Sequence, residues 1–130
     1  MNERRLEVAR QWLEKADHDL RNARHTLTLE ENCPYDTVCF HAQQCVEKSL
    51  KALLTFCAID FPKIHDLTEL LVLIPKSSRF GIDPSELAIL NPYAVEARYP
   101  GDWDDVSREE AQQAVEVAGR ICREIRTRLP

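Results

Sequence analysis

The feature that most narrows the fold is an apolar ladder at the start of the chain: Leu6, Ala9, Leu13, Ala16, Leu20, Ala23 and Leu27 follow one another in steps of three and four. That spacing draws one stripe along a helix, whereas on a strand it would scatter the same residues over both faces. It predicts a first helix about 27 residues long, roughly 40 Å at the standard rise. A helix of that length with a single apolar seam needs a partner helix to cover it. Asn32, Cys33 and Pro34 end the ladder, and Pro34 suits the first turn of the next helix.

The second helix is predicted from about Pro34 to Ala58, with an apolar arc of Tyr35, Val38, Cys39, Ala42, Cys45, Val46, Leu50, Leu53 and Cys57. Its polar face is narrow: Gln44, Glu47, Lys48 and Lys51 fall within about 100° of one another. Phe40 and Leu54 fall on or beside that same face. So apolar a helix is expected to be packed on more than one side, with Phe40 and Leu54 covered either by later short helices or by a second chain.

After a loop from Asp60 to Lys63, three capping boxes mark helix starts: Asp66 with Glu69, Asp83 with Glu86 around Pro84, and Ser107 with Glu110. The third helix, carrying Leu67, Leu70, Leu71 and Ile74, stops at Pro75, and the fourth, carrying Leu87 and Leu90, gives way near Pro92. Pro100 and Gly101 make Arg98 to Asp102 a loop. The last helix has its own seam of Ala111, Ala114, Ala118, Ile121 and Ile125. With no strand-like alternation and no repeats, the expectation is all-α: an up-and-down bundle of four to five helices. Two are long and antiparallel, two short, and a long one closes the chain; residues 1–130 form a single domain.

Composition removes several functions. Hydrophobic residues make up 44% and charged residues 30% of the 130, with 3 Gly, which is a helix-rich globular profile and not a disordered one. A net charge of -5 argues against non-specific binding to nucleic acid, which runs on phosphate neutralisation. The arginines Arg120, Arg123, Arg126 and Arg128 read as the basic end of a helix complementing its dipole. No signal-peptide core follows Met1, no apolar run reaches the ~20 residues of a membrane span, and the five cysteines lack paired spacing. A cytoplasmic protein with reduced thiols and no membrane contact is expected.

Few residues are arranged for chemistry. His18 and His25 lie two helical turns apart, roughly 10 Å, too far to share an ion. His41 and Cys45 have the spacing of a ligand pair but stand alone, so no metal and no cofactor are expected. The cysteines lie mostly on apolar arcs where a thiol is a small hydrophobe, and Gly81, Gly101 and Gly119 are too isolated for a phosphate loop. Three polar groups stand out: Gln43, Gln44, Glu47, Lys48 and Lys51 on the second helix; the loop Arg98-Tyr99-Pro100 with Asp102; and His65, directly before the Asp66 cap. For each, a structural role competes with a binding role, and the first two are expected to meet in space.

Together with Trp12, Ala16 and Asp19-Leu20 on the first helix and Tyr35-Asp36, the string Ala42-Gln43-Gln44-Cys45-Val46-Glu47-Lys48-Ser49-Leu50-Lys51-Ala52-Leu53-Leu54, then His65-Asp66-Leu67 and Arg98-Tyr99-Pro100, resembles the HEPN domain family over nearly the whole chain. The resemblance implies a helical bundle that associates as a homodimer, with the polar groove near the two-fold axis. It implies a role in nucleotide binding and pairing with a minimal nucleotidyltransferase, often as toxin and antitoxin. Many such relatives are metal-independent ribonucleases in which Arg is followed, after about four to six intervening residues, by His. There Arg stabilises charge on the phosphate and His moves protons, worth roughly 10² to 10⁴ in rate. In this chain Arg98 matches the Arg, but that spacing reaches Trp103, Asp104 and Asp105, and no histidine follows His65. The variant ending in Tyr is missing as well. The expected function is a dimeric module binding a nucleotidyltransferase or a nucleotide through Gln43, Gln44, Glu47, Lys48, Lys51, His65, Arg98, Tyr99 and Asp102. The alternatives are an RNA-cutting toxin relying on Arg98 and His65, and a purely structural dimer.

Overall fold

A computed structural model describes residues 2–94 and 105–130. Among them are five α-helices and no strand: α1 (Glu3–Leu27), α2 (Tyr35–Phe56), α3 (Leu67–Leu73), α4 (Pro84–Leu90) and α5 (Arg108–Arg128), with 3-10 turns at Lys76–Ser78 and Asn91–Ala94. The expected all-α bundle is therefore found. Ala9, Leu13, Ala16, Leu20 and Ala23 of the first seam are buried, and only its ends, Leu6 and Leu27, are half-exposed. Asn2 starts α1 by accepting from the Arg4 and Arg5 amides at 2.9 and 3.4 Å. Pro34 lies one residue outside α2, at its N-cap position, where its carbonyl receives the Val38 amide at 3.2 Å.

The long pair is antiparallel, since Asp19 of α1 meets His41 and Lys48 of α2 while Trp12 lies near Lys51. The α5 helix runs back along α1, with Arg126 donating to the Leu13 carbonyl at 3.3 Å and Gly119 facing Arg24. The nearest group to a Cβ built at Gly119 would be the mobile end of the exposed Arg24 side chain, at 2.7 Å. On the remaining side, α3, α4 and the turn Asn91–Ala94 pack on α2 and bury Leu67, Leu70, Ile74, Leu87 and Leu90. Leu54 is fully buried within this one chain, while Phe40 stays half-exposed with its edge on the His41 ring.

All three predicted N-caps are made: Asp66 and Ser107 accept the amides of Glu69 and Glu110, three residues on, and Asp83 that of Ser85, two residues on. Two of the carboxylates expected to reach back do other work. Glu86 pairs with Arg120, and Glu110 accepts from the Tyr93 hydroxyl at 2.9 Å, so both fasten the short-helix region to α5. The Thr68 hydroxyl and the Glu69 amide, with help from Asn91, hold the Asp66 carboxyl below the usual carboxylate range. A lowered folded pKa contributes stability above the unfolded carboxylate value of about 4 and loses it as the pH falls through the folded value. Asp66→Ala is therefore expected to cost about 1 kcal/mol at neutral pH. Urea midpoints followed down to about pH 2 should show the difference from wild type shrinking with acid.

The C-terminal end of α2 closes without a glycine. Ile59 donates to the Leu54 carbonyl at 2.9 Å and Ala58 to that of Thr55 at 3.1 Å, with Ala58 at φ 60°. This is the two-bond closure that favours glycine at the left-handed position. Relief of roughly 1–2 kcal/mol of left-handed strain outweighs the ~0.4–1 kcal/mol entropy cost of a new glycine. Ala58→Gly should therefore raise the unfolding midpoint, by a net gain of about 0.5–1 kcal/mol.

Candidate functional site

About one helical turn apart, Glu47 and Lys51 form an i, i+4 pair on the flank of α2, with Lys51 Nζ 3.1 Å from Glu47 Oε2. Neither is solvated: Glu47 is 3% and Lys51 7% exposed. An ion pair taken out of water must be matched by further hydrogen bonds, and here it is. His65 Nδ1 lies 3.0 Å from Glu47 Oε1, and the wholly buried Gln43 amide donates to the His65 carbonyl at 3.0 Å and to Glu47 at 3.4 Å. Gln44 extends the chain of bonds outward by donating to Gln43 Oε1 at 2.7 Å. The Lys51 ammonium is further held 5.6 Å from the Trp12 ring centroid and 5.9 Å from that of Phe61, two rings tilted against each other.

The loop after α2 makes this cluster possible. The turn at Ala58 sends the chain back over the helix, bringing Phe61 beside Lys51 and His65 onto Glu47 before Asp66 caps α3. The His65 side chain remains 69% exposed, so its carboxylate-bonded nitrogen is fixed while the rest of the ring faces solvent. An imidazole oriented by a carboxylate in this way has its second nitrogen available to accept or donate a proton.

Lys48 does not join that cluster. Its ammonium reaches across to α1, 2.5 Å from Asp19 Oδ2, and His41 Nδ1 binds the other oxygen of the same carboxylate at 2.8 Å. Asp19 is almost buried, at 9%, with Lys48 and His41 forming its half-exposed cover. The half-buried stripe of α2 through His41, Gln44 and Lys48 thus has a carboxylate-bonded histidine near each edge, His41 on Asp19 and His65 on Glu47.

Of the residues expected from the sequence, the structure brings Gln43, Gln44, Glu47, Lys51 and His65 together and assigns Lys48 to a second network. Arg98, Tyr99 and Asp102 lie outside the described residues, and so does the expected meeting of their loop with α2. Asp19, His41, Trp12 and Phe61 were not among the expected site residues. The available signal was the i, i+7 spacing of His41 and Lys48 on one face of α2, with Asp19 beside the α1 seam in antiparallel register. His41 is engaged by Asp19, while Cys45 directs its sulfur to the Ala118 carbonyl, so the pair spaced like metal ligands is turned to different partners.

The thiols are packing groups. Burial pushes the Cys39 thiol up to about 12. Across the α2–α5 contact the buried Cys45 thiol is pushed above the ordinary thiol value by its neighbour Cys122 and by burial. Among the described residues no helix is long and apolar enough to cross a membrane.

With this geometry in hand, the chain can be set beside known proteins. The model of the HEPN domain matches residues 9–128. The crystal structure of a protein from Thermus thermophilus is 30% identical and superposes with a TM-score of 0.75, covering 93% of this chain and 98% of the other. An archaeal HEPN homologue is 25% identical at a TM-score of 0.73, over 94% of this chain and 98% of its own. A HEPN domain protein from Thermotoga maritima, 24% identical at a TM-score of 0.53 over 97% of both chains, shares the fold. Among curated proteins no match is found. A family match over nearly the full length, on an all-helical bundle of this order, places the chain: it belongs to the HEPN domain family.

Proposed function

We propose that this chain is a cytoplasmic, single-domain HEPN protein that works as a dimeric interaction module, paired with a minimal nucleotidyltransferase in a toxin–antitoxin-like system. The α2 stripe holds that partner or its nucleotide. The observation that carries this reading is the buried Glu47–Lys51 pair. A buried ion pair contributes little to stability relative to apolar residues of the same size, so bundle packing alone gives no reason for it. Its effect is to fix Gln43, Gln44 and His65 as a preset polar edge. Lys48 supplies a half-buried cation for phosphate or carboxylate and Gln44 a neutral amide, and Arg98, Tyr99 and Asp102, outside the described residues, are proposed to add to the set. The test is binding of purified chain to ATP and to the nucleotidyltransferase encoded beside it. Lys48→Glu and Arg98→Ala should each weaken binding at least about tenfold, as expected for losing a charge-assisted contact; binding unchanged in both would overturn the site.

A second reading rests on the His65–Glu47 contact at 3.0 Å, which orients an exposed imidazole as a general base would need to be oriented. In that reading Arg98 and His65 replace the missing Arg-to-His spacing in an RNA-cutting toxin. Expression of the chain alone would then arrest growth and degrade RNA, with relief by Arg98→Ala or His65→Ala. Normal growth and intact RNA in all three strains would eliminate it.

A further inference from the structure

Among the described residues, two imidazoles are held at Nδ1 by carboxylates, His41 by Asp19 at 2.8 Å and His65 by Glu47 at 3.0 Å. They differ in access. The His41 side chain is 25% exposed and has the Phe40 ring against it at 5.3 Å between centroids, whereas that of His65 is 69% exposed. A carboxylate can only accept, so in neutral His65 the proton is on Nδ1 and the lone pair on Nε2. The two nitrogens point to nearly opposite sides of the ring. With Nδ1 turned to Glu47, itself 3% exposed, the Nε2 lone pair of His65 is directed outward.

Glu47 does not need the imidazole to be satisfied. Lys51 binds its Oε2 at 3.1 Å and Gln43 reaches its Oε1 at 3.4 Å, and His65 Nδ1 is an additional donor, 3.0 and 3.2 Å from the two oxygens. What the contact achieves is one tautomer and one orientation of an exposed ring. The backbone is fixed too: Gln43 donates to the His65 carbonyl at 3.0 Å, the Ile64 amide to the Pro62 carbonyl at 2.9 Å and the Leu67 amide to Asn91 at 2.8 Å. Asp66, the next residue, spends its carboxylate on the Thr68 and Glu69 amides of the α3 cap. An imidazole so held is a nucleophile, and the positive charge it gains on attack is met by the carboxylate behind it. Acyl transfer would also require donors for a developing oxyanion, and here the Gln43 amide and the Lys51 ammonium are already engaged. Phosphoryl transfer passes through a loose transition state that asks the nucleophile chiefly for position.

We propose that His65 Nε2 is a phosphoryl-acceptor site, served by a donor of the phosphoramidate class, the class to which a phosphohistidine on another protein belongs. The Nε2–P bond forms as the donor's P–N bond breaks, and the donor nitrogen, protonated beforehand, leaves as a neutral amine with the bonding pair. His65 keeps its Nδ1 proton, and the charge left on the ring faces Glu47. Glu47 is a positioning residue in this step. Every protein group involved belongs to this chain, so the site stands whether or not a nucleotidyltransferase is the partner.

The experiment is incubation of the full chain with potassium phosphoramidate near neutral pH, with rates at each histidine read by peptide mapping and the modified ring nitrogen by phosphorus NMR. His18 and His25, both exposed on α1, are internal references, and the carboxylate beside His18, that of Glu14, is no closer than 4.0 Å. His65 is expected to react at least about tenfold faster than either, and at Nε2. His65→Gln should remove the fast phase, and a folded Glu47→Gln chain should lose most of the advantage and yield both ring isomers. In urea, where the Glu47 contact is broken, the three histidines of the wild type should react alike, which keeps the test decisive even if Glu47→Gln does not fold. Equal rates in the folded chain, an adduct on Nδ1, a fast phase that survives His65→Gln, or an advantage that persists in urea overturns the proposal. So does a folded Glu47→Gln chain that reacts as fast and as selectively as wild type.

Discussion

Glu47→Ala should destabilise the fold by roughly 3–5 kcal/mol, the usual consequence of removing one partner of a buried ion pair. The loss arises from what remains. Lys51, at 7% exposure, keeps its charge with only the Trp12 and Phe61 ring faces nearby, and His65 loses the acceptor for its Nδ1. A cation over an aromatic face recovers about 0.5–2 kcal/mol, too little to offset a desolvated ammonium. Gln43 would lose one of its two acceptors but keep the His65 carbonyl. The informative companion is the double variant Glu47→Leu with Lys51→Met, which replaces the pair by apolar groups of similar size. Such replacements are often neutral or stabilising by about 1–4 kcal/mol, so urea unfolding should place the double variant at or above wild type. The same protein should bind more weakly, because His65 and Gln43 lose the Glu47 acceptor that fixes them. A double variant as unstable as Glu47→Ala would mean that the pair holds the bundle together and that its site role is misplaced.

Leu54→Ala is expected to cost about 3 kcal/mol, within the ~2–5 kcal/mol range of leucine deletions in enclosed cores. Leu54 lies beside the polar stripe when α2 is drawn as a wheel, yet it is wholly buried in the single chain. The enclosure comes from α3, α4 and the turn Asn91–Ala94, which pack on the side of α2 that α1 and α5 leave open. This gives the prediction a second part. Because the cover belongs to the same chain, the difference between Leu54→Ala and wild type should be independent of protein concentration even where dimerisation shifts both midpoints, whereas cover supplied by a second copy would make that difference change with dilution. Thermal unfolding of both proteins over about a hundredfold concentration range measures the two parts together.

The helices were legible because their signals are local. A three-four seam, Pro75 and Pro92 as stops, and Asp66, Asp83 and Ser107 as caps specify element and position within a few residues. The second arm of the two later capping boxes was not legible, since Glu86 and Glu110 have partners far along the chain in Arg120 and Tyr93, and only the packing of α4 and the last turn on α5 decides between them. The site was legible as residues and not as an arrangement. Glu47 and Lys51 share a flank by helical spacing, but His65 reaches them only because Ala58 reverses the chain in a conformation that no glycine announces. Lys48 was read with its sequence neighbours because the rotation of α2 against α1, which presents it to Asp19, is a property of the pair and not of either helix. Asp19 itself was easy to overlook, a carboxylate lodged beside the Leu20 rung of an otherwise apolar seam.

The two networks on α2 also divide the labour of the proposed site. The Glu47 cluster is rigid and mostly enclosed, which suits positioning; the Asp19 cluster places the half-exposed Lys48 and His41 where a ligand can reach them. Asp19 already neutralises Lys48 in the free protein, so a phosphate or partner carboxylate must compete with it, favouring partners that bring more than one contact.

The most direct test is to purify the tagged chain and its Lys48→Glu variant from the cells that make it and to identify by mass spectrometry what accompanies each. A nucleotidyltransferase recovered with the wild type and lost from the variant is the predicted result; its absence from the wild type, or equal recovery with both, would contradict the assignment of α2 as the partner-holding face.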